Sequence, residues 1–154
     1  MSDSPPTSPA IRRNPETRRS IELDVADDEL WHLLTDPAEL ATWLGDEVAI
    51  DLVPGGAGRV LDDQIERDLI VEQVIPGERI AWRWWPHDEP GSASRVEIVI
   101  APHPGGTRVE VIETLLPTAT PVTALAAIGS RQALRWEVRL ALIAIGAAAS
   151  CLAR

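Results

Sequence analysis

Apolar and polar residues alternate along most of the middle of the chain. Arg95-Val96-Glu97-Ile98-Val99-Ile100 sends Val96, Ile98 and Ile100 to one side of an extended backbone, and Thr107-Arg108-Val109-Glu110-Val111 does the same with Val109 and Val111. A period of two is that of half-buried strands. Ile80, Trp82 and Trp84 share a face in the same way, with Arg83 opposite. Further strands are predicted near Ser20–Val25, Glu47–Val53, Gly58–Asp62 and Ile65–Ile75. From about Pro121 to Leu152 the period changes: Leu125, Ile128, Leu134, Val138, Ala141, Leu142 and Ile145 recur at helical spacing, with Arg131, Arg135 and Arg139 between them.

Punctuation supports the same division. Pro54-Gly55, Pro76-Gly77 and Pro104-Gly105 each read as a type II reversal, because proline presets the first central residue and glycine accepts positive φ at the second. Pro90-Gly91 lies in the longer polar stretch HDEPGSAS. Asp36-Pro37-Ala38-Glu39 is a helix start, with Asp36 as cap, Pro37 at the first helical position and Glu39 placed to complete a capping box. Asp27 or Asp28 is expected to cap a shorter helix over Glu29–Leu34. The result is an α+β chain: an antiparallel sheet of about six to seven strands, two short helices between strands 1 and 2, and a long C-terminal helix to cover the apolar face.

Composition places this pattern in a single water-exposed domain. The chain has 154 residues, 45% hydrophobic and 25% charged. The first 17 residues are rich in Ser, Pro and charge and read as a disordered tail, leaving 18–154 as the folded domain. The net charge of −10 opposes nucleic-acid binding. The apolar run Leu140–Ala153, broken by Gly146 and Ser150, is shorter than the roughly 18–20 residues of a membrane span. One cysteine, Cys151, permits no internal disulfide, and no signal-like segment opens the chain, so the cytoplasm is the expected compartment.

Several segments together resemble the START/SRPBCC superfamily with its helix-grip fold, and within it the branch of heat-shock protein ATPase activator homologues. They are Val25-Ala26-Asp27-Asp28-Glu29-Leu30-Trp31, Leu34-Thr35-Asp36-Pro37-Ala38-Glu39-Leu40 with Trp43, and Pro54-Gly55-Gly56. The series continues through Val71 to Trp82 and Gly105 to Val111, and ends at Trp136, so the likeness covers about residues 18 to 150. The resemblance implies a curved antiparallel sheet wrapped around the C-terminal helix, enclosing a cavity that in many relatives holds a small apolar molecule or lipid. Its members range over lipid carriers, hormone receptors, aromatic cyclases and co-chaperones, so the fold leaves the function open. Two departures are the short segment between Val111 and the last helix and the alanine-rich stretch Ala144–Ala149.

Within that frame the candidate ligand-binding residues are Trp43, Trp82, Trp84, Ile98, Val109, Val111, Glu113 and Trp136. Tryptophan walls with a few polar groups suit a small-molecule pocket, although six tryptophans in a chain without Phe or Tyr also serve simply to fill volume. Glu113 continues the inward phase of Val109 and Val111, which makes it a polar ligand contact, a partner for Arg131 or Arg135, or, where the strand ends or twists, a residue that meets solvent. Asp62-Asp63-Gln64-Ile65-Glu66 matches no calcium loop and reads as a solvated hairpin tip, and His32, His87 and His103 share no zinc spacing. No nucleophile-elbow or phosphate-loop motif occurs, and nothing calls for a cofactor or metal. The reading favoured is noncatalytic binding of a small hydrophobic or aromatic molecule. The alternatives are a cyclase- or dehydratase-type enzyme using the same cavity, and an interaction protein, either co-chaperone-like or a homodimer.

Overall fold

A computed structural model describes residues 16–116 and 135–149. Seven strands, β1 (Glu16–Leu23), β2 (Glu47–Ile50), β3 (Ala57–Asp62), β4 (Ile65–Ile75), β5 (Arg79–Pro86), β6 (Ser94–His103) and β7 (Gly106–Leu115), form one antiparallel sheet in the order β1-β7-β6-β5-β4-β3-β2. Helices α1 (Asp27–Thr35) and α2 (Pro37–Trp43) carry the chain from β1 at one edge to β2 at the other. Residues 135–149 form helix α3. This is the α+β helix-grip arrangement that the pattern and the resemblance implied.

The proline-glycine reversals form as expected, with Gly55 at φ 84°, Gly77 at 76° and Gly105 at 96°. The β3–β4 reversal uses no glycine: Asp63 and Gln64 both take positive φ, the requirement of a tight two-residue hairpin. A bulge between Val71 and Gln73 in β4 adds a residue opposite β5, which bends and twists the sheet at its middle.

The inward residues stand in rows across the strands. Trp82 is opposite Val96, which is opposite Glu113, and the next row runs Ile80, Ile98, Val111. Ile100 and Val109 make a third pair. All of these are buried, together with Leu30, Leu33, Leu34, Leu40 and Trp43 of the short helices. The outer face carries charges instead, with Glu97 held by both Arg79 and Arg95, and Glu72 near Arg83.

The long helix corrects one expectation. Its inward stripe is Trp136, Arg139, Leu140, Ile143 and Ala147, whereas Val138, Leu142 and Ile145 are exposed and Ala141 faces outward with them. This part of the helix is apolar on two faces, so spacing alone does not fix the phase. The largest ring, Trp136, decides which face docks. Leu125, Ile128, Leu134 and Arg131 lie outside the described residues.

The helix starts and the first strand differ in smaller ways. Strand β1 begins at Glu16 rather than near Ser20, because its first inward positions are Thr17 and Arg19 and show no apolar alternation. At α1 neither Asp27 nor Asp28 caps; Ala26 occupies the N-cap, and Asp27 Oδ1 instead lies 2.7 Å from the Thr107 hydroxyl. At α2 Asp36 does cap, accepting from the amides of Ala38 at 2.9 Å and Glu39 at 3.4 Å. The reciprocal arm from Glu39 has no donor to meet, since the Asp36 amide is already bonded to the His32 carbonyl. Replacing Asp36 with Ala is expected to cost about 1 kcal/mol, seen as a lower urea midpoint at constant slope. An unchanged midpoint would mean that Pro37 and packing set the helix start without the carboxylate.

Candidate functional site

At the Ser94 end of β6, β5 and β7 bring aromatic and charged groups under α3. Trp84 and Ser94 are opposite one another in the sheet, and Glu113 stands on the neighbouring strand in the next row, opposite Val96. That diagonal puts Ser94 Oγ 2.6 Å from Glu113 Oε1 and Trp84 Nε1 2.9 Å from the same oxygen. From α3, Trp136 donates its indole N–H to Oε2 at 2.5 Å. Glu113 is only 2% exposed. A carboxylate offers about four acceptor positions, so three donors leave room for one more.

The rings form a continuous array. Trp84 and Trp136 stack with centroids 6.1 Å apart and planes inclined by 26°, and Trp82 meets Trp84 edge-on at 5.8 Å. Arg139 lies over both stacked rings, with Cζ 4.6 Å from the Trp136 centroid and 5.2 Å from that of Trp84. Arg67, on the inward phase of β4 with Leu69 and Val71, reaches to 5.0 Å from the Trp84 centroid.

Asp62, at the end of β3, ties the sheet to α3. It receives Arg139 at 2.8 Å and also pairs with Arg135. Burial works to raise its pKa, but the hydrogen bonds and charges of the two arginines outweigh this and hold it below the ordinary carboxylate value. The expectation that the whole Asp62–Glu66 stretch is a solvated tip therefore fails at Asp62, which turns in to the helix while Asp63 stays exposed. It also follows that Arg135 serves Asp62 and not Glu113. Burial pulls the guanidinium of Arg139 below its ordinary pKa, with Asp62 acting in the opposite direction.

Among the described residues, two buried side-chain donors have no hydrogen-bond partner: Trp82 Nε1 and Arg139 Nε. Trp43 differs, because its indole N–H is committed to the Leu33 carbonyl at 3.0 Å and joins α2 to α1. Of the expected residues, then, Trp82, Trp84, Glu113 and Trp136 come together in one polar-aromatic group. Ile98, Val109 and Val111 line the apolar rows beside it, and Trp43 packs into the same core through the short helices.

Four participants were not anticipated: Ser94, Asp62, Arg67 and Arg139. Ser94 and Arg67 both sit at inward positions of strands otherwise marked by apolar alternation, and Arg139 falls three residues after Trp136. Their phase was the available signal. No group of His, Cys, Asp or Glu among the described residues is arranged to hold a metal ion, and Cys151 lies outside them. No helix among the described residues is long and apolar enough to cross a membrane.

Comparison with known proteins adds a family and a set of folds. The family model described as Activator of Hsp90 ATPase homolog 1-like protein matches residues 24–136. No protein with a curated description matches the sequence. Among solved structures, DynU16, a protein of the dynemicin biosynthetic locus, superimposes with TM-score 0.70 at 22% identity, over 85% of this chain and 46% of its own. The chain thus spans less than half of that relative. The Staphylococcus aureus protein SA2116, of unknown function, gives 0.72 at 14% identity over 90% of this chain and 98% of its own. The Aha1 dimer of Colwellia psychrerythraea gives 0.63 at 16% identity over 81% and 90%. At such identities these structures attest the fold.

Proposed function

The chain belongs to the family of activator of Hsp90 ATPase homolog 1-like proteins, and from that premise we propose that it binds a small hydrophobic or aromatic molecule, without chemistry, between its sheet and α3. The walls are Trp82, Trp84 and Trp136, continued by Ile98, Val109, Val111 and, from the short helices, Trp43. Glu113 braces the Trp84 and Trp136 rings of that wall, and the Trp82 N–H is the polar contact.

The observation that carries this reading is the indole N–H of Trp82, which is buried with no acceptor among the described residues. A buried donor left unmade costs about 1–3 kcal/mol, and an acceptor on a ligand removes that cost. Elsewhere in the group the polar contacts are largely closed within the protein. Glu113 supports a binding role over a catalytic one for the same reason: three donors fix its oxygens, so it is held as part of the wall rather than free to shuttle a proton.

Tryptophan emission and melting temperature report binding directly, because three of the rings are in contact. Titration with flat aromatic compounds bearing an acceptor is expected to shift the emission and to raise stability by about 2.7 kcal/mol at a hundredfold excess over Kd. Trp82→Phe should weaken acceptor-bearing compounds more than aromatic hydrocarbons, which lose only contact with the smaller ring. A broad panel giving neither a spectral change nor a rise in melting temperature would end this proposal.

A further inference from the structure

The charges around Trp84 do not cancel, and the imbalance points to the chemical class of the ligand. Arg67, Arg135 and Arg139 face the group from β4 and α3, while Asp62 and Glu113 are the carboxylates sheltered with them. Three guanidinium groups against two carboxylates leave one positive charge in excess. Asp63 reaches only Arg135, at 3.8 Å, from a largely solvent-exposed position. Arg135 and Arg139 both engage Asp62. Of the three, Arg67 is the one whose guanidinium meets no carboxylate directly; Glu113 and Asp62 act on it only as nearby charges.

Arg67 is partly buried, and among the described residues its guanidinium makes no ion pair and no hydrogen bond; its contact is with the ring of Trp84. A cation–π contact of this kind engages the charge but gives none of the five N–H donors a hydrogen-bond acceptor atom. Such a fork matches a carboxylate bidentately. Burial lowers the pKa of Arg67, with the charges of Glu113 and Asp62 opposing and that of Arg135 assisting. A guanidinium remains charged in proteins despite such shifts, so the fork stays cationic at any working pH. Two further donors belong to the same group of side chains, the buried Nε of Arg139 and Nε1 of Trp82, both without partners among the described residues.

Building on the binding role put forward above, we propose that the ligand is a flat aromatic carboxylate whose ring lies against the tryptophans and whose anionic group is received by Arg67. The alternative, that Arg67 only shields Trp84, accounts for its place over the ring but not for the excess charge or the uncommitted donors.

The test compares naphthalene carboxylate with the corresponding neutral carboxamide, titrated calorimetrically into the wild-type protein and into Arg67→Met. Methionine keeps an unbranched apolar stem beside Trp84. The wild type is expected to favour the carboxylate by about tenfold or more, the scale of one charge-assisted hydrogen-bonded pair. Arg67→Met should abolish that preference by weakening the carboxylate about tenfold, with the carboxamide unchanged. Equal wild-type affinity for the two compounds, or equal weakening of both by Arg67→Met, would overturn the carboxylate assignment and leave the pocket standing. Failure of both compounds to bind the wild type would overturn the pocket and the assignment together. The wild-type comparison needs no variant to fold, and a thermal melt of Arg67→Met establishes that its titration is read on folded protein.

Discussion

Trp136→Ala is expected to lower the free energy of unfolding by about 3–5 kcal/mol and the melting temperature by roughly 10 °C. Trp136 has no exposed surface, stacks on Trp84, supports Arg139 and donates to Glu113. Truncation removes the largest apolar contact that α3 makes, and the rest of the inward stripe is Arg139, Leu140, Ile143 and Ala147. It also takes from Glu113 Oε2 its only donor among the described residues, a loss that a cavity estimate from volume alone omits. The control lies on the same helix. Val138→Ala removes an exposed side chain and should change stability by less than about 0.5 kcal/mol. Urea unfolding of both variants separates the two faces. If Trp136→Ala fell within about 1 kcal/mol of the wild type, or Val138→Ala cost more than it, α3 would not be docked by the Trp136 face.

That contrast shows how much of the fold the sequence carries. The strands of the middle of the chain were legible because one side of the sheet is apolar and the other charged, so each of Val96, Ile98, Ile100, Val109 and Val111 announces its side by its neighbours. The reversals were legible where glycine takes positive φ, and not at Asp63-Gln64, where non-glycine residues do. The phase of α3 was not legible, since Val138, Leu142 and Ile145 make as regular a stripe as Trp136, Leu140 and Ile143. Only the contact with Trp84 distinguishes them. The site divides in the same manner. Tryptophans and Glu113 stood out as large or costly groups at inward positions, whereas Arg67, Arg139 and Asp62 are residues that usually face water. Their burial depends on one another across a separation of more than seventy positions, as in Arg139 with Asp62. No local pattern encodes such a pair.

Glu113→Leu tests whether the buried carboxylate organises this group or merely survives in it. The substitution strands the Trp136 indole N–H and the Ser94 hydroxyl, each at about 1–3 kcal/mol, while the Trp84 N–H keeps Ser94 Oγ, 2.9 Å away, as its acceptor. It also removes one of the two sheltered negative charges that oppose Arg67, Arg135 and Arg139. Acting the other way, leucine needs no desolvation of a charge and adds apolar contact, which is why replacing a whole buried polar cluster is often neutral while removing one member is not. The net expectation is a loss of about 3–5 kcal/mol for Glu113→Leu. Glu113→Gln keeps one acceptor oxygen but turns an amide N–H₂ toward a donor on the other side, so it should cost less, about 1–3 kcal/mol. The order wild type, Gln, Leu in denaturant midpoint is the signature of an acceptor that three donors share. A Leu variant as stable as the wild type would mean that Trp84, Ser94 and Trp136 do not depend on Glu113. A double-mutant cycle with Trp136→Phe then isolates the coupling to Oε2, because the loss of ring volume is common to both arms of the cycle and cancels.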